Sequence, residues 1–291
     1  GTLEIQTTQP IQDHAEMGFS GANGAPDLDS LIRKLSDILY YEMLFKAAFG
    51  DATITENRMQ LAMAQLIRSM QSLDSKFDEG FAQVNALGQP FPNYTTNENE
   101  GKTLFLTAPQ VDTNGVRTGG GLGCQGCHRA PEFDIDPNSG NNGTIGSING
   151  TGPGSLDFTN TRAPSLRDLE NNNDVLNGPL MHNGGINTIG GAITHYNQIV
   201  NNPNNSNLDP RLRTPGPNGV PLDLQLTAQE RLQVRQFLKT LTGNNIYTDT
   251  KWSNPFTNDS LITINEYTSI LIKKEDEIKI YPNPAQNIVF I

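Results

Sequence analysis

The chain has two cysteines, and they stand three positions apart in Cys124-Gln125-Gly126-Cys127-His128. A chain of 291 residues with that cysteine usage cannot be a disulfide-stapled scaffold, so it must bury an apolar core, and any sulfur chemistry is local. Two thiols one helical turn apart, with an imidazole directly after the second, give the arrangement that thioether attachment to both vinyls of a haem requires. His128 is then the proximal iron ligand. A thioredoxin-like redox pair would want a strand-to-helix context, and a zinc site a second ligand pair; neither is visible. The motif predicts a redox protein that carries haem c and works outside the cytoplasm.

Composition narrows the remaining classes. A net charge of −11 and a pI near 4.8 argue against a nucleic-acid partner, which needs a dense basic patch; the acidity serves solubility. No run approaches the roughly 18 to 20 apolar residues of a membrane-spanning helix, and no charged-then-apolar signal segment opens the chain. It begins at Gly1 and stops within Ile288-Val289-Phe290-Ile291, and both ends are expected to be cut.

Hydrophobic spacing predicts a mostly α chain. One helix is expected over 31–49, with Leu31, Leu35, Ile38, Leu39, Met43, Leu44 and Ala48 on its apolar face. A second is expected from Glu56 to Leu73, opened by Thr53 and Glu56, with Leu61, Ala64, Leu66, Ile67 and Met70 as its buried stripe and packed on the first. A short helix over 97–106 leads into the cysteine motif, and the Gly-, Asn- and Asp-rich stretch 111–160 reads mostly as loop. A last helix opens at Thr227 with Glu230, runs through Leu232, Val234, Phe237, Leu238 and Leu241, and stops at Gly243. Residues 246–275 read as a linker, and 278–291 alternate like a strand around Tyr281-Pro282-Asn283-Pro284.

Two patterns near the motif have plainer readings. Gly119-Gly120-Gly121-Leu122-Gly123 lacks the Lys-Ser/Thr of a phosphate loop and reads as a flexible approach to the haem. Asp134, Asp136, Asn138 and Asn142 alternate like a calcium loop, but Ser139 and Ile145 stand where Gly and Glu belong, so the segment reads as an Asx-rich turn. The sixth iron position decides between electron transfer and oxidant chemistry, because axial ligand identity is a main control of haem potential. Met181, His182, His195 and Tyr196 are the candidates, and composition does not choose among them.

The order Cys124 to His128, Ala163-Pro164-Ser165-Leu166-Arg167, Gly178-Pro179-Leu180-Met181-His182-Asn183-Gly184 and Thr194-His195-Tyr196-Asn197 resembles the C-terminal haem half of the bacterial di-haem cytochrome c peroxidase and MauG family. The closing Phe237-Leu238-Lys239-Thr240-Leu241-Thr242-Gly243 fits the same pattern. Upstream, Pro10 to Gly18 resembles the segment crossing that family's peroxidatic haem pocket. The resemblance implies that Glu16 is the acid/base carboxylate for peroxide cleavage and that Tyr196 is the sixth ligand of the second haem, with Met181 as the alternative. It also implies a calcium ion held by backbone carbonyls near Asn177 and Pro179. The family's first Cys-x-x-Cys-His motif is not in this chain.

The implied domains are the remainder of a peroxidatic cytochrome c domain at 1–95, whose haem motif is missing, a c-type haem domain at 96–245, the linker 246–275, and 276–291. This last stretch, with Tyr281-Pro282-Asn283-Pro284-Ala285, resembles the start of the sorting domain of the Bacteroidetes type IX secretion system. The family implies reduction of hydrogen peroxide to water, with electrons supplied by a small redox protein and passed through the Cys124/Cys127/His128 haem. It implies two haems in the intact protein, a homodimer, and a periplasmic or cell-surface location. MauG-like oxidation of a protein substrate and simple electron transfer by a cytochrome c are the alternatives.

Overall fold

The computed structural model describes residues 1–134, 136–146, 156–216 and 219–256. Helices dominate, and most begin at a Ser, Thr or Asp whose side-chain oxygen accepts an otherwise unpaired first-turn amide. The mostly α class read from the spacing is the observed one. The chain forms two units, Gly1–Gln71 with the segment from Asp249, and Ser72–Thr248. Among the described residues no helix is long and apolar enough to cross a membrane.

The first unit holds α1 (Leu3–Gln12), α2 (Leu28–Ser36), α3 (Leu39–Phe49) and α4 (Glu56–Ser69). Its core gathers Ile11, Phe45, Ile54 and Met59, flanked by Leu28, Leu31, Ile32 and Leu35. The single helix expected over 31–49 is two helices. Ser36 Oγ donates to Ile32 O, and Ile38 turns extended before α3 restarts, the local competition that Ser and Asp offer a helix.

The stripe expected on α4 is also corrected. Leu66, Ile67 and Met70 are exposed, whereas Met59, Ala64 and Gln65 are buried. The reason is α1, against which α4 packs through a polar seam: Gln12 Nε2 and Gln60 Nε2 both donate to Glu56 Oε1, Gln60 also donates to Thr8 Oγ1, and Arg68 pairs with Glu4. Glu56 is thereby used away from the cap, which is Thr55 rather than Thr53, its Oγ1 accepting from Arg58 N at 3.2 Å. In the segment read as linker, α9 (Asn245–Thr248) and the 3-10 turn Thr250–Trp252 are ordered, and Trp252 Nε1 donates to Ser69 Oγ. The rest of that segment and the strand at 278–291 lie outside the described residues.

The second unit begins after Gln71, so 72–95, expected with the first domain, belongs with the cysteine motif. Its aromatic side chains demand this: Phe77, Phe91 and Tyr94 share one core with Phe105, Phe133 and Phe237. Here α5 (Lys76–Val84) precedes α6 (Thr96–Leu106), which crosses α8 (Ala228–Lys239) closely at Gly101, where a Cβ would collide with the Gln233 carbonyl. The capping box of Thr227 and Glu230 forms as its spacing predicts. After α6 comes a hairpin of β1 (Pro109–Val111) and β2 (Arg117–Gly120), antiparallel with Pro109 opposite Gly120. The glycine run is therefore not a flexible approach. Gly119 and Gly120 are paired in the hairpin, and Gly121 lies so close to the Leu104 and Thr107 carbonyls that no side chain fits.

Gly101→Ala should destabilise the second unit by about 1–3 kcal/mol through overpacking, read as a lower urea midpoint. Gly190→Ala, in the first turn of α7 (Ile189–Asn197) with open space around it, should instead stabilise by about 0.5–1 kcal/mol.

Candidate haem site

Gly123, at a φ of 70°, turns the chain out of the hairpin into the 3-10 turn Cys124–Gly126. The amides of Cys127 and His128 both bond to Cys124 O, at 3.2 and 3.0 Å, so the motif is a single closed turn. Both thiols are free and partly buried. His128 Nδ1 lies 2.7 Å from Pro164 O; since a carbonyl only accepts, Nδ1 carries the proton and the Nε2 lone pair is left for a metal.

Pro164 is held in turn by its own segment. Arg167 donates to both carboxylate oxygens of Asp78 at 2.8 and 2.9 Å, and to the carbonyls of Ser72 and Pro131. A second arginine holds the other side of the turn. Arg211 donates to Gly126 O, to Asp136 Oδ2 at 2.6 Å and to Asp209 Oδ1 at 2.8 Å, and these residues line a cleft of about 430 Å³ beside the motif. Asp136 is thus committed to an arginine, consistent with reading 134–142 as an Asx turn and not a calcium loop.

Of the sixth-ligand candidates, the fold brings two to one point. Tyr196, on α7, and Met181, at the corner of a tight turn with a φ of 67°, both contact the side-chain amide of Asn142, the hydroxyl at 3.2 Å and the sulfur at 3.3 Å. His195 is turned elsewhere, its Nε2 2.9 Å from Asn142 O. Both ring nitrogens of His182 are buried without a hydrogen-bond partner, and Nε2 lies 3.7 Å from Asp157 Oδ2.

Burial governs the electrostatics. It pushes the Cys124 thiol up to about 12 and Cys127 to about 11, so both stay protonated at neutral pH. It lowers His128 against the opposing pull of Pro164 O, favouring the neutral imidazole a metal needs. Burial pushes the Tyr196 phenol up to about 12, against the bond from Asn142, with the neighbouring Cys127 and Cys124 adding to the rise.

This donor set fits a haem c: paired protonated thiols, a neutral imidazole with Nε2 available, and a second pair of donors converging near the thiols, with an orphaned imidazole at His182. The other expected site residues are described each within its own unit. Glu16 is exposed in the turn after α1, in the first unit, its amide bonded to Asp13 O. Asn177 and Pro179 are exposed in the second unit, and Asn177 Nδ2 donates to Asp168 O and Tyr247 OH. Among the described residues no group of three or more His, Cys, Asp or Glu could hold a metal ion. Sequence reasoning placed Asn142 only in an Asx-rich turn, missed Arg211, and gave the Pro164 carbonyl no role. All three act across long sequence separations, so no local spacing could have revealed them.

For Asp209, burial raises the carboxyl, but bonds from Arg211 and Gly140 N outweigh it and hold it below its ordinary value. A depressed folded value means stability that is complete above the unfolded value of about 3.9 and lost as pH falls through the lower folded one. Asp209→Asn should weaken the pH dependence of urea stability below about pH 4 and lower stability at pH 7. Urea titrations at pH 7 and pH 3 check both.

The family described as di-haem cytochrome c peroxidase matches residues 1–85. The methylamine utilization protein MauG of Methylophilus methylotrophus is 30% identical over 201 residues, which cover 67% of this chain and 51% of that protein. Cytochrome c551 peroxidase of Nitrosomonas europaea is 26% identical over 252 residues, covering 83% of this chain and 59% of that protein. The chain therefore spans between half and three-fifths of these relatives' lengths. A solved MauG-like protein, associated with microbial copper homeostasis, shares the fold at a TM-score of 0.58 and 24% identity, with 87% of this chain and 72% of that one covered. Matched in sequence by MauG and by a cytochrome c peroxidase, and over residues 1–85 by the family's own model, the chain is similar to the di-haem cytochrome c peroxidase and MauG family of oxidoreductases.

Proposed function

We propose that the chain is part of an exported di-haem enzyme that reduces hydrogen peroxide to water, and that its own haem site serves electron entry. The observation that carries the reading is His128, fixed through Nδ1 by Pro164 O with Nε2 free, directly after the two partly buried thiols. Cys124 and Cys127 would hold haem c as thioethers, and His128 and Tyr196, with Met181 as the alternative to Tyr196, would ligate its iron. A haem bound there supplies a reversible one-electron store.

The remaining work falls to the protein. Peroxide takes two electrons and two protons to become two waters, and the proton leaving one peroxide oxygen must reach the other as the O–O bond breaks. Glu16 would carry that proton, a role its free carboxylate in a turn can fill in the intact enzyme. The reading includes a second, peroxidatic haem in the intact protein, a small redox protein as electron donor, a periplasmic or cell-surface location, calcium at the carbonyls of Asn177 and Pro179, and a homodimer.

One observation favours a second reading. Tyr196 lies near the thiols, and a phenolate is a hard anionic donor that stabilises ferric and higher states, which suits MauG-like oxidation of a protein substrate.

The chain matured in a periplasm should carry one covalently bound haem, seen as a denaturing-gel haem stain and one haem mass increment. A product without that increment rejects the reading. In the intact enzyme, Glu16→Gln should lower kcat/KM for peroxide by about 10²- to 10⁴-fold with haem content unchanged, since it removes a proton carrier and no iron ligand. Steady-state kinetics decide this, and an intact two-haem protein inactive on peroxide would shift the assignment to protein oxidation.

A further inference from the structure

We propose that Asn142 is the positioning residue that decides which side chain faces the haem iron opposite His128, presenting the Tyr196 oxygen and holding back the Met181 sulfur. The inference rests on the haem reading above. Its basis is a shared donor: Asn142 Nδ2 lies 3.2 Å from Tyr196 OH and 3.3 Å from Met181 Sδ, so one amide group engages both atoms that compete for the metal. An amide nitrogen carries two hydrogens and can serve both at once.

The orientation of this amide is built in. Asn142 Oδ1 accepts from Thr144 N at 3.0 Å, which settles that the NH2 end faces the pair. The main-chain oxygen of Asn142 meets His195 Nε2 at 2.9 Å, so the residue preceding Tyr196 on α7 ties the helix to this loop. On either side the loop is fixed. Asn141 is fully buried and donates to Thr159 O at 3.0 Å, and Gly143 sits at a φ of 83° where a Cβ would collide with Ile199.

The competing sulfur is equally constrained. Met181 occupies a left-handed backbone conformation that a side chain rarely adopts, closed by Gly184 N bonding to Met181 O at 3.1 Å. Its sulfur is therefore aimed by the turn and met by the amide. The two bonds act in opposite senses on ligation. A donor to a phenolic oxygen strengthens when that oxygen becomes anionic on a metal, whereas a thioether engaged by N–H has less electron density to give. One amide thus favours oxygen over sulfur.

The test uses the 291-residue chain matured with haem and reads spectra. Wild type should show no thioether-to-iron absorption band in the ferric state. Asn142→Asp keeps an oxygen for Thr144 N but turns an acceptor toward the Tyr196 oxygen; the band should appear and the ferric electron paramagnetic resonance signal should change. Adding Met181→Leu should abolish the band. Asn142→Ala, which removes the donor without adding charge, should show the band and a raised potential. Haem uptake should equal wild type in every variant. The proposal is overturned if the band is already present in wild type, if both Asn142 variants keep the wild-type spectrum, or if neither takes up haem. A wild-type chain that takes up no haem defeats the haem reading itself, an outcome the gel stain and mass distinguish from failure of the ligand choice.

Discussion

The site depends on one hydrogen bond, from His128 Nδ1 to Pro164 O. An imidazole can offer a lone pair to iron from only one nitrogen when the other is protonated, so whatever fixes the proton fixes the ligand atom. A carbonyl at 2.7 Å does this without adding charge, and its position is inherited from Arg167. That guanidinium spans α5, through Asp78, and the 131–132 loop, through the Pro131 and Glu132 carbonyls. The aromatic core supplies the platform: Phe77 and Phe133, in edge-to-face contact, both lie beneath Arg167. Packing of phenyl rings thus sets the tautomer of a histidine in a loop.

Electrostatics make the opposite side complementary. Burial disfavours every anion the donors could form, so the thiols and the phenol are neutral in the protein by itself. Neutral donors of this kind suit a centre that arrives with its own charge. Asp136 and Asp209, beside the motif, are both paired with Arg211.

What the sequence discloses here is what is local. Cys124, Cys127 and His128 lie within five positions and form one closed turn, and Thr227 and Glu230, three apart, form the capping box their spacing predicts. Helix α8 is legible because its capping box is followed by apolar residues at helical spacing, Val234, Phe237 and Leu238 among them. Leu66, Ile67 and Met70 fit that spacing equally well yet face outward, since α4 meets α1 through Glu56, Gln60 and Arg68, and spacing cannot report a polar seam. Helices α5 and α7 carry apolar residues at helical spacing, Phe77, Phe81 and Val84 in one and Ile189, Ile193 and Tyr196 in the other, but each is only nine residues long, too short for the period to stand out. Residues 72–95 group with the second unit because Phe77 and Phe91 enter its core, a tertiary fact that local spacing does not report.

The loops around the motif show why an Asn- and Asp-rich stretch need not be read as disorder. Among the described residues between 136 and 213 there is little regular structure outside α7, so backbone amides and carbonyls buried there must find partners outside ladders and helices. Side chains provide them: Asn141 bonds Thr144 O and Thr159 O, Ser139 accepts from Ala163 N, and Asp209 accepts from Gly140 N and Arg211 N. Each such bond contributes only about 1 kcal/mol net, but leaving its buried partner unpaired costs about 1–3 kcal/mol, so the loops fail together rather than one at a time. That cooperativity is what a redox site needs from irregular backbone. A helix could not bring Met181, Tyr196 and Asn142 to one point from three segments, and a loosely held loop could not keep them there.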